Sequence, residues 1–284
     1  MKPLIIGTGF LGEQLYYDLK KSVDKIVVTH RTNRKFDFSY KFDFFTDSIK
    51  DTFSSEEINT IFIPAKIEFT EDQHLLKRKM VELAEWAADK RVIYISSDGI
   101  FDGEKGSYIE TDPINPVTLY GRNLNICETI IREKVKNYCI IRPSYLYGFV
   151  NSKLDSRFRK TQEDVTEGKK VTRFTDMYKS PLSYKQASEY IVKLSLSDFV
   201  GTIHISGPRM SICDFTKEGM EALGLSTDTL KGEKMPLSKP VDFLSDTSLN
   251  SSLAQKLIGI IPLGIKESFE TYYKERVTPK TQYL

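Results

Sequence analysis

Three observations predict an α/β protein, with a doubly wound parallel sheet and a smaller C-terminal α/β domain. Short apolar runs alternate with longer amphipathic stretches through the first half of the chain. Those runs are continuously apolar, as strands covered on both faces must be. A glycine cluster follows the first of them directly. In order, the strands are predicted at Leu4–Ile6, Ile26–Thr29, Thr60–Ile63, Val92–Ser96 and Cys139–Arg142. Between the third and fourth lies a helix over Glu71–Lys90, where Leu75, Leu76, Met80, Leu83, Ala84 and Ala87 recur at helical spacing and read as core.

After Gly148 the pattern changes. Asn151–Thr175 carries seven Lys/Arg against four acids, a charge run that reads mainly as a solvated helix face, with a phosphate clamp as the alternative. Further on, Thr202–Ser206 reads as a strand and Ser211–Leu223 as a helix, with Ser211 as N-cap and Asp214 in the capping-box position. From Pro240 the chain mixes turns with one helix, Gly264–Arg276, and internal repeats and low-complexity segments are absent from the sequence.

With 284 residues, of which 40% are apolar and 28% charged, the chain falls in the ordinary globular range. Its net charge of +2 is too small for the continuous basic surface of a nucleic-acid binder, so no nucleic-acid partner is expected. Cys127, Cys139 and Cys213 lack paired spacing and nearby histidines, which argues for buried free thiols in a reducing compartment and against a metal site. Gly7, Gly9 and Gly12 interrupt the N-terminal apolar run, and no segment approaches the ~18 apolar residues of a membrane span. A cytoplasmic protein without a membrane partner is the expectation.

Gly7-Thr8-Gly9-Phe10-Leu11-Gly12 sits between a strand and a helix, the context that makes a glycine pattern a phosphate loop. The first glycine permits the tight turn, the second brings backbone amides to a pyrophosphate, and the third allows close helix packing at a positive helix end. At the end of the second strand, where an NAD-specific site places a carboxylate, the chain has Thr29-His30-Arg31, with Arg34 and Lys35 behind. Cations there favour a 2′-phosphate, so NADP(H) is the preferred cofactor and NAD(H) the alternative. Ser96-Ser97-Asp98 ends the fourth strand at the carboxyl edge, and Tyr120 opens a helical segment nearby. A tyrosine and a strand-end hydroxyl together supply what a ketone reductase needs for a developing alkoxide.

At these residues the chain resembles the extended short-chain dehydrogenase/reductases, and within them the dTDP-4-dehydrorhamnose reductase-like proteins. Ser96-Ser97-Asp98-Gly99-Ile100-Phe101-Asp102-Gly103 is similar to the family's S-T-D-Y-V-F-D-G. Tyr108 to Tyr120-Gly121 follows its Y-x-E-x-D-x-x-x-P-x-x-x-YG run, and Ile141 to Gly148 its sixth-strand block. Asp176–Pro181 is similar to D-Q-x-G-S-P, and Gly201–Gly207 with Ser211–Phe215 to G-x-Y-H-x-x-G followed by S-W-Y-E-F. The resemblance implies a Rossmann-type NAD(P)-binding domain over 1–148, also receiving 182–206, with a mainly substrate-binding domain over 149–284. It also implies reduction of the 4-keto group of a nucleotide-linked 6-deoxysugar.

By position, the resemblance makes Tyr120 the catalytic acid, Ser97 the hydroxyl on the substrate oxygen and Asp98 an orienting or donating neighbour. Cofactor contacts fall on Gly7, Gly9, Phe10, Leu11, Gly12, Arg31, Asp43, Pro64, Ala65, Lys66, Ser96, Tyr120 and Pro143, with Asp37 competing with Asp43 for the adenine. Substrate contacts fall on Ser97, Asp98, Phe101, Tyr120 and Asn151. A nucleotide sugar is the implied partner, and a homo-oligomer is compatible with the sequence.

One departure stands out: the family's Y-x-x-x-K reads Tyr120-Gly121-Arg122-Asn123-Leu124, so a leucine replaces the lysine that holds the nicotinamide ribose and stabilises the tyrosinate. Arg122 faces another side of the helix. Lys66, just after the third strand, is the candidate replacement. The alternative is a catalytically impaired member serving as a regulatory subunit that binds a dinucleotide or nucleotide sugar.

Overall fold

The inner strands of the main sheet divide their side chains between two cores. In β1 (Pro3–Ile5), Leu4 points into one and Ile5 into the other, and in β4 (Thr60–Ile63), Ile61 and Ile63 oppose Phe62. This division explains why the runs are apolar at every position rather than at alternate ones. The computed structural model describes residues 1–236 and 244–277, and Pro240, where the turn-rich tail is predicted to begin, lies outside them.

The remaining strands of the first half are β2 (Val27–His30), β3 (Tyr40–Lys41), β5 (Arg91–Ile95) and β6 (Asn137–Pro143). The chain then makes the short strands β7 (Leu146–Tyr147), β8 (Phe149–Val150), β9 (Lys153–Leu154), β10 (Val171–Phe174), β11 (Tyr178–Lys179) and β12 (Leu182–Ser183). It returns with β13 (Gly201–Ile205), followed by β14 (Met210–Ser211) and β15 (Leu230–Glu233). The large sheet has the order β13-β6-β5-β4-β1-β2-β3, and its neighbouring strands pair in parallel. Strand order reverses between β1 and β4, so the crevice at their carboxyl ends is the switch point where such sheets bind ligands.

Helices cover both faces. On one side lie α1 (Phe10–Leu19) and α6 (Tyr184–Ser195), which pack on each other through Leu11, Leu15, Ala187 and Ile191. On the other lie the short α2 (Ile49–Thr52), α3 (Gln73–Trp86) and α4 (Leu119–Lys134). Helix α3 begins two residues later than predicted because Asp72 caps it, accepting from the Leu75 amide at 2.8 Å. It ends four residues early because the chain must turn at Ala87–Lys90 to enter β5.

A smaller cluster gathers α5 (Ser156–Thr166), α7 (Ile212–Ala222) and α9 (Ile265–Val277) around Tyr147, Phe158, Phe215 and Phe269, beside the parallel pair β10–β15. Ser211 caps α7 as the sequence predicts, accepting from the Asp214 amide and donating to its carboxylate at 2.7 Å. Not all of the second half belongs to this cluster. Helix α6 and strand β13 join the large sheet, and α8 (Ser252–Ile258) packs on both, with Ala254 and Ile260 in the same core.

Candidate functional site

Gly7 follows β1 with φ +94°, a conformation open to glycine, and a Cβ there would lie 2.9 Å from the Cβ of Ala65. A Cβ on Gly12 would overlap the Gly7 carbonyl oxygen and stand 3.2 Å from Pro64 Cγ. Gly9, at the N-cap of α1, faces open space and leaves the first amides of the helix without a side-chain cap. The loop is bolted to β2 by the Gly7 amide on Thr29 Oγ1 and by Thr8 Oγ1 on the Thr29 carbonyl. Closed on three sides and open at Gly9, this cradle fits a dinucleotide pyrophosphate at a helix N-terminus.

Arg31 is exposed just beyond β2. Lys35 is engaged elsewhere, paired with Glu13 and lying over Phe10. Topology separates the two aspartates. Asp43 lies two residues beyond the end of β3, where its Oδ1 accepts from the Phe45 amide at 3.0 Å, whereas Asp37 sits in the connection before that strand. Leu11 turns its side chain into the core, so only its backbone is available to a cofactor.

From Pro64 and Ala65 the loop after β4 runs to Phe69, whose ring stacks on Tyr120 with centroids 4.6 Å apart. Asn123 fixes this loop to α4, donating to the carbonyls of Glu68 and Thr70 at 2.8 Å. Thr118 caps α4 by accepting from the Gly121 amide, and this places Tyr120 in the first turn. The ring lies against Gly99, where a Cβ would meet Tyr120 Cε1 at 2.9 Å. The Ser97 side chain neighbours the phenol. Burial pushes the phenol well above its ordinary pKa, the nearby Glu68 carboxylate adds to this, and Ser97 opposes it.

Asp98 is buried and accepts four side-chain hydrogen bonds. Ser97 Oγ reaches Oδ1 at 3.0 Å, while Ser144 Oγ, Thr247 Oγ1 and Lys179 Nζ reach Oδ2 at 3.1, 2.7 and 3.1 Å. Of its two sequence-expected roles, four converging donors suit orientation. Ser96, one residue earlier, gives its hydroxyl to buried Glu128 at 2.6 Å, within a network with Arg142 and Arg132.

One expectation needs correction. Phe101 is fully buried, stacked on Tyr108 at 4.1 Å and beneath the Arg142 guanidinium, so it supports the wall from behind and does not reach a substrate. Lys66 is exposed with its amine over Phe69, 5.6 Å from the ring centroid. Asn151 is exposed between β8 and β9, where it and Ser152 have φ of +45° and +67°; the asparagine serves a tight turn. Pro143 is buried at the end of β6. Leu124 is fully buried with Ile100, Phe101, Tyr108 and Leu249.

Sequence reasoning missed two groups. Glu68, buried and accepting from the Tyr94 hydroxyl, has its carboxyl pushed up to about 7 by burial. Nothing in an isolated Ile-Glu-Phe distinguishes it from a solvated loop residue. Lys179 stands where the D-Q-x-G-S-P pattern has glycine, a signal available in the sequence.

Most of the Asn151–Thr175 charge run is solvated, as in the Lys160–Asp164 pair. Two arginines differ. Arg157 stacks on Tyr145 at 3.6 Å and Arg173 donates to Thr161, and both line a cavity of about 360 Å³ with Lys160 and Phe215. Cys127, Cys139 and Cys213 are free and buried, and burial pushes the Cys139 thiol up to about 12. Among the described residues, no cluster of ligating side chains suits a metal and no helix is long and apolar enough to cross a membrane.

Comparison with known proteins agrees with this architecture. The family model described as RmlD substrate binding domain matches residues 1–276. A hypothetical dTDP-4-dehydrorhamnose reductase from Sulfolobus tokodaii superposes with a TM-score of 0.76 at 26% identity, covering 90% of this chain and 94% of that one. The dTDP-4-dehydrorhamnose reductase of Bacillus anthracis, solved in complex with NADP, superposes with a TM-score of 0.79 at 19% identity over 97% and 100% of the two chains, a likeness of fold. The spore coat polysaccharide biosynthesis protein SpsK of Bacillus subtilis is 33% identical over 195 residues, which span 65% of this chain and 64% of SpsK. With the glycine cradle and the reversed strand order already in place, the family match makes this chain a member of the RmlD substrate binding domain family, within the extended short-chain dehydrogenase/reductases.

Proposed function

We propose that the chain reduces the 4-keto group of a nucleotide-linked 6-deoxysugar with NAD(P)H, preferring NADPH. The observation that carries this is the placing of Tyr120 beside Ser97 at the end of β5, one loop away from the glycine cradle. Gly7, Gly9 and Gly12 would hold the pyrophosphate of NAD(P)H, which when bound would supply the hydride for the carbonyl carbon. Tyr120 gives its hydroxyl proton to the carbonyl oxygen, so the C=O becomes CH–OH, and the tyrosinate takes a proton back from solvent. Ser97 donates its hydroxyl hydrogen bond to Asp98 Oδ1 while no carbonyl is present. Rotation about one torsion turns that proton to a carbonyl seated between the two hydroxyls, where it stabilises the developing alkoxide.

Arg157, Lys160 and Arg173 are the groups proposed to hold the diphosphate, since their side chains converge on one cavity beside the aromatic faces of Tyr145 and Phe215. Arg31 is proposed for the 2′-phosphate and Asp43 for the adenine.

The test follows NADPH absorbance with dTDP-4-keto-6-deoxy-L-mannose for the wild type, Tyr120→Phe and Leu124→Lys. Turnover in the wild type that collapses in Tyr120→Phe supports the assignment. Turnover that survives Tyr120→Phe moves the acid elsewhere. NADPH binding without turnover replaces the enzyme by a binding subunit, the role a leucine at 124 would permit.

A further inference from the structure

The face of α4 that begins with Tyr120 carries no cation at the next turn, because Leu124 is part of an apolar cluster. The groups that bear on the phenol include two carboxyls, Glu68 and Asp98, both of which push it up. A positive charge does reach the reaction site, from the opposite wall. Lys179 extends from β11 and places Nζ 3.1 Å from Asp98 Oδ2, also donating to Thr247 Oγ1. The pair is sheltered, with the side chains 19% and 9% exposed, unlike the solvated Lys160–Asp164 pair at 64% and 22%.

We propose that Lys179 is a positioning residue for the reduction, holding Asp98 so that Asp98 holds Ser97 and supplying from β11 the cation that α4 lacks. Lys179, Thr247 and Ser144 all converge on Oδ2, which leaves Oδ1 to the Ser97 hydroxyl. The neighbouring residue reinforces the grip, since the Ser180 amide donates to Ser144 Oγ at 3.1 Å. One short segment therefore fixes Asp98 twice, directly through Lys179 and indirectly through Ser180 and Ser144. The ammonium also offsets the Asp98 charge beside the phenol, so the tyrosine is easier to leave as tyrosinate than it would be beside a bare carboxylate. A glycine at this position, as in the D-Q-x-G-S-P pattern, supplies neither the ammonium nor its bonds to Asp98 and Thr247.

The proposal rests on the reductase reading, and the experiment separates the two. Steady-state reduction of dTDP-4-keto-6-deoxy-L-mannose by NADPH is measured for the wild type, Lys179→Met, Lys179→Gln and Lys179→Arg, with NADPH binding by fluorescence and a thermal melt on each. Lys179→Met is expected to bind NADPH like the wild type and lose kcat about 10- to 100-fold, the scale of a misplaced catalytic group. Lys179→Gln, which keeps a donor for Asp98 without the charge and is the safer variant for folding, falls between. Lys179→Arg restores most of kcat. Wild-type turnover with an equally fast Lys179→Met, or a loss that appears in NADPH binding and melting alone, overturns the proposal and leaves the reductase standing. A wild type that binds NADPH and reduces nothing overturns the reductase, and this proposal with it.

Discussion

At the glycine end of the crevice the work falls to the backbone: a positive φ at Gly7, open space at Gly9 and a helix pressed on its own loop at Gly12. At the tyrosine end it falls to side chains that hold one another, with Ser97 on Asp98, Asp98 on Lys179, and Tyr120 between Phe69 and Gly99. The two ends depart from the family pattern to different degrees. The cradle keeps all its glycines, because no side chain can substitute for the absence of a Cβ. The reaction end differs at several places at once. Gly99 stands where the pattern has tyrosine and gives Tyr120 the space its ring occupies, Leu124 removes an ammonium, and Lys179 introduces one. A side-chain network can be rewired by compensating changes in a way that a backbone cradle cannot.

The sharpest way to break this contrast is to attack each end and compare what is lost. Gly12→Val sets a branched side chain against the Gly7 carbonyl and Pro64, and is expected to abolish NADPH binding in a fluorescence titration, and turnover with it. Tyr120→Phe is expected to leave that titration unchanged while kcat falls by about 10²- to 10⁴-fold. If Tyr120→Phe also lost NADPH binding, the two ends would not be separable. Gly99→Ala tests the space under the ring; displacing the phenol by even part of an ångström is expected to lower kcat by about 10- to 100-fold at unchanged NADPH affinity. Arg31→Asp should weaken NADPH by about 10-fold or more, the worth of a charged hydrogen bond, and leave NADH nearly unaffected.

The smallest expected effect is on stability. Glu68 holds its proton up to about 7 in the folded chain and to about 4.5 when exposed, so the fold binds the extra proton between those values and loses stability as pH rises through that window. His204 runs the other way: burial lowers it to about 4, so its contribution to stability rises with pH up to its unfolded value near 6.5. Glu68→Gln removes the first trend and keeps the second. The Tm of the variant should therefore gain on the wild type steadily from pH 5 to pH 7 and stay level above it. A constant difference across that range would mean that Glu68 stays ionised in the fold.

The large sheet was legible because burial on both faces leaves a direct mark, an unbroken apolar run, as at Thr60–Ile63, where the predicted and observed bounds coincide. The two-residue strands after β6 were not, since pairs such as Tyr178 with Ser211 are set by tertiary contact and carry no periodicity. At the site, the glycines and the strand-end Ser97 stand where position placed them, because main-chain topology alone delivers them. Phe101 was misplaced because an aromatic inside a motif looks the same whether it faces a ligand or braces the wall. Lys66 and Lys179 show the converse: both are lysines in loops or short strands, and only the fold tells which one meets an aspartate.

Strand β13 lies along β6 from Gly201 opposite Cys139 to Ile205 opposite Pro143, although the small cluster's α5 and β10 are made in between. During synthesis, β6 thus presents an unzipped flank bearing Cys139, Ile140 and Ile141 until Gly201 has emerged, and such flanks template misassembly. A fragment cut after Gly148 would inherit that sticky border permanently. The nucleotide half is thus chaperoned by its own downstream sequence, and excising it as a free-standing module should yield aggregate unless β13 is grafted back.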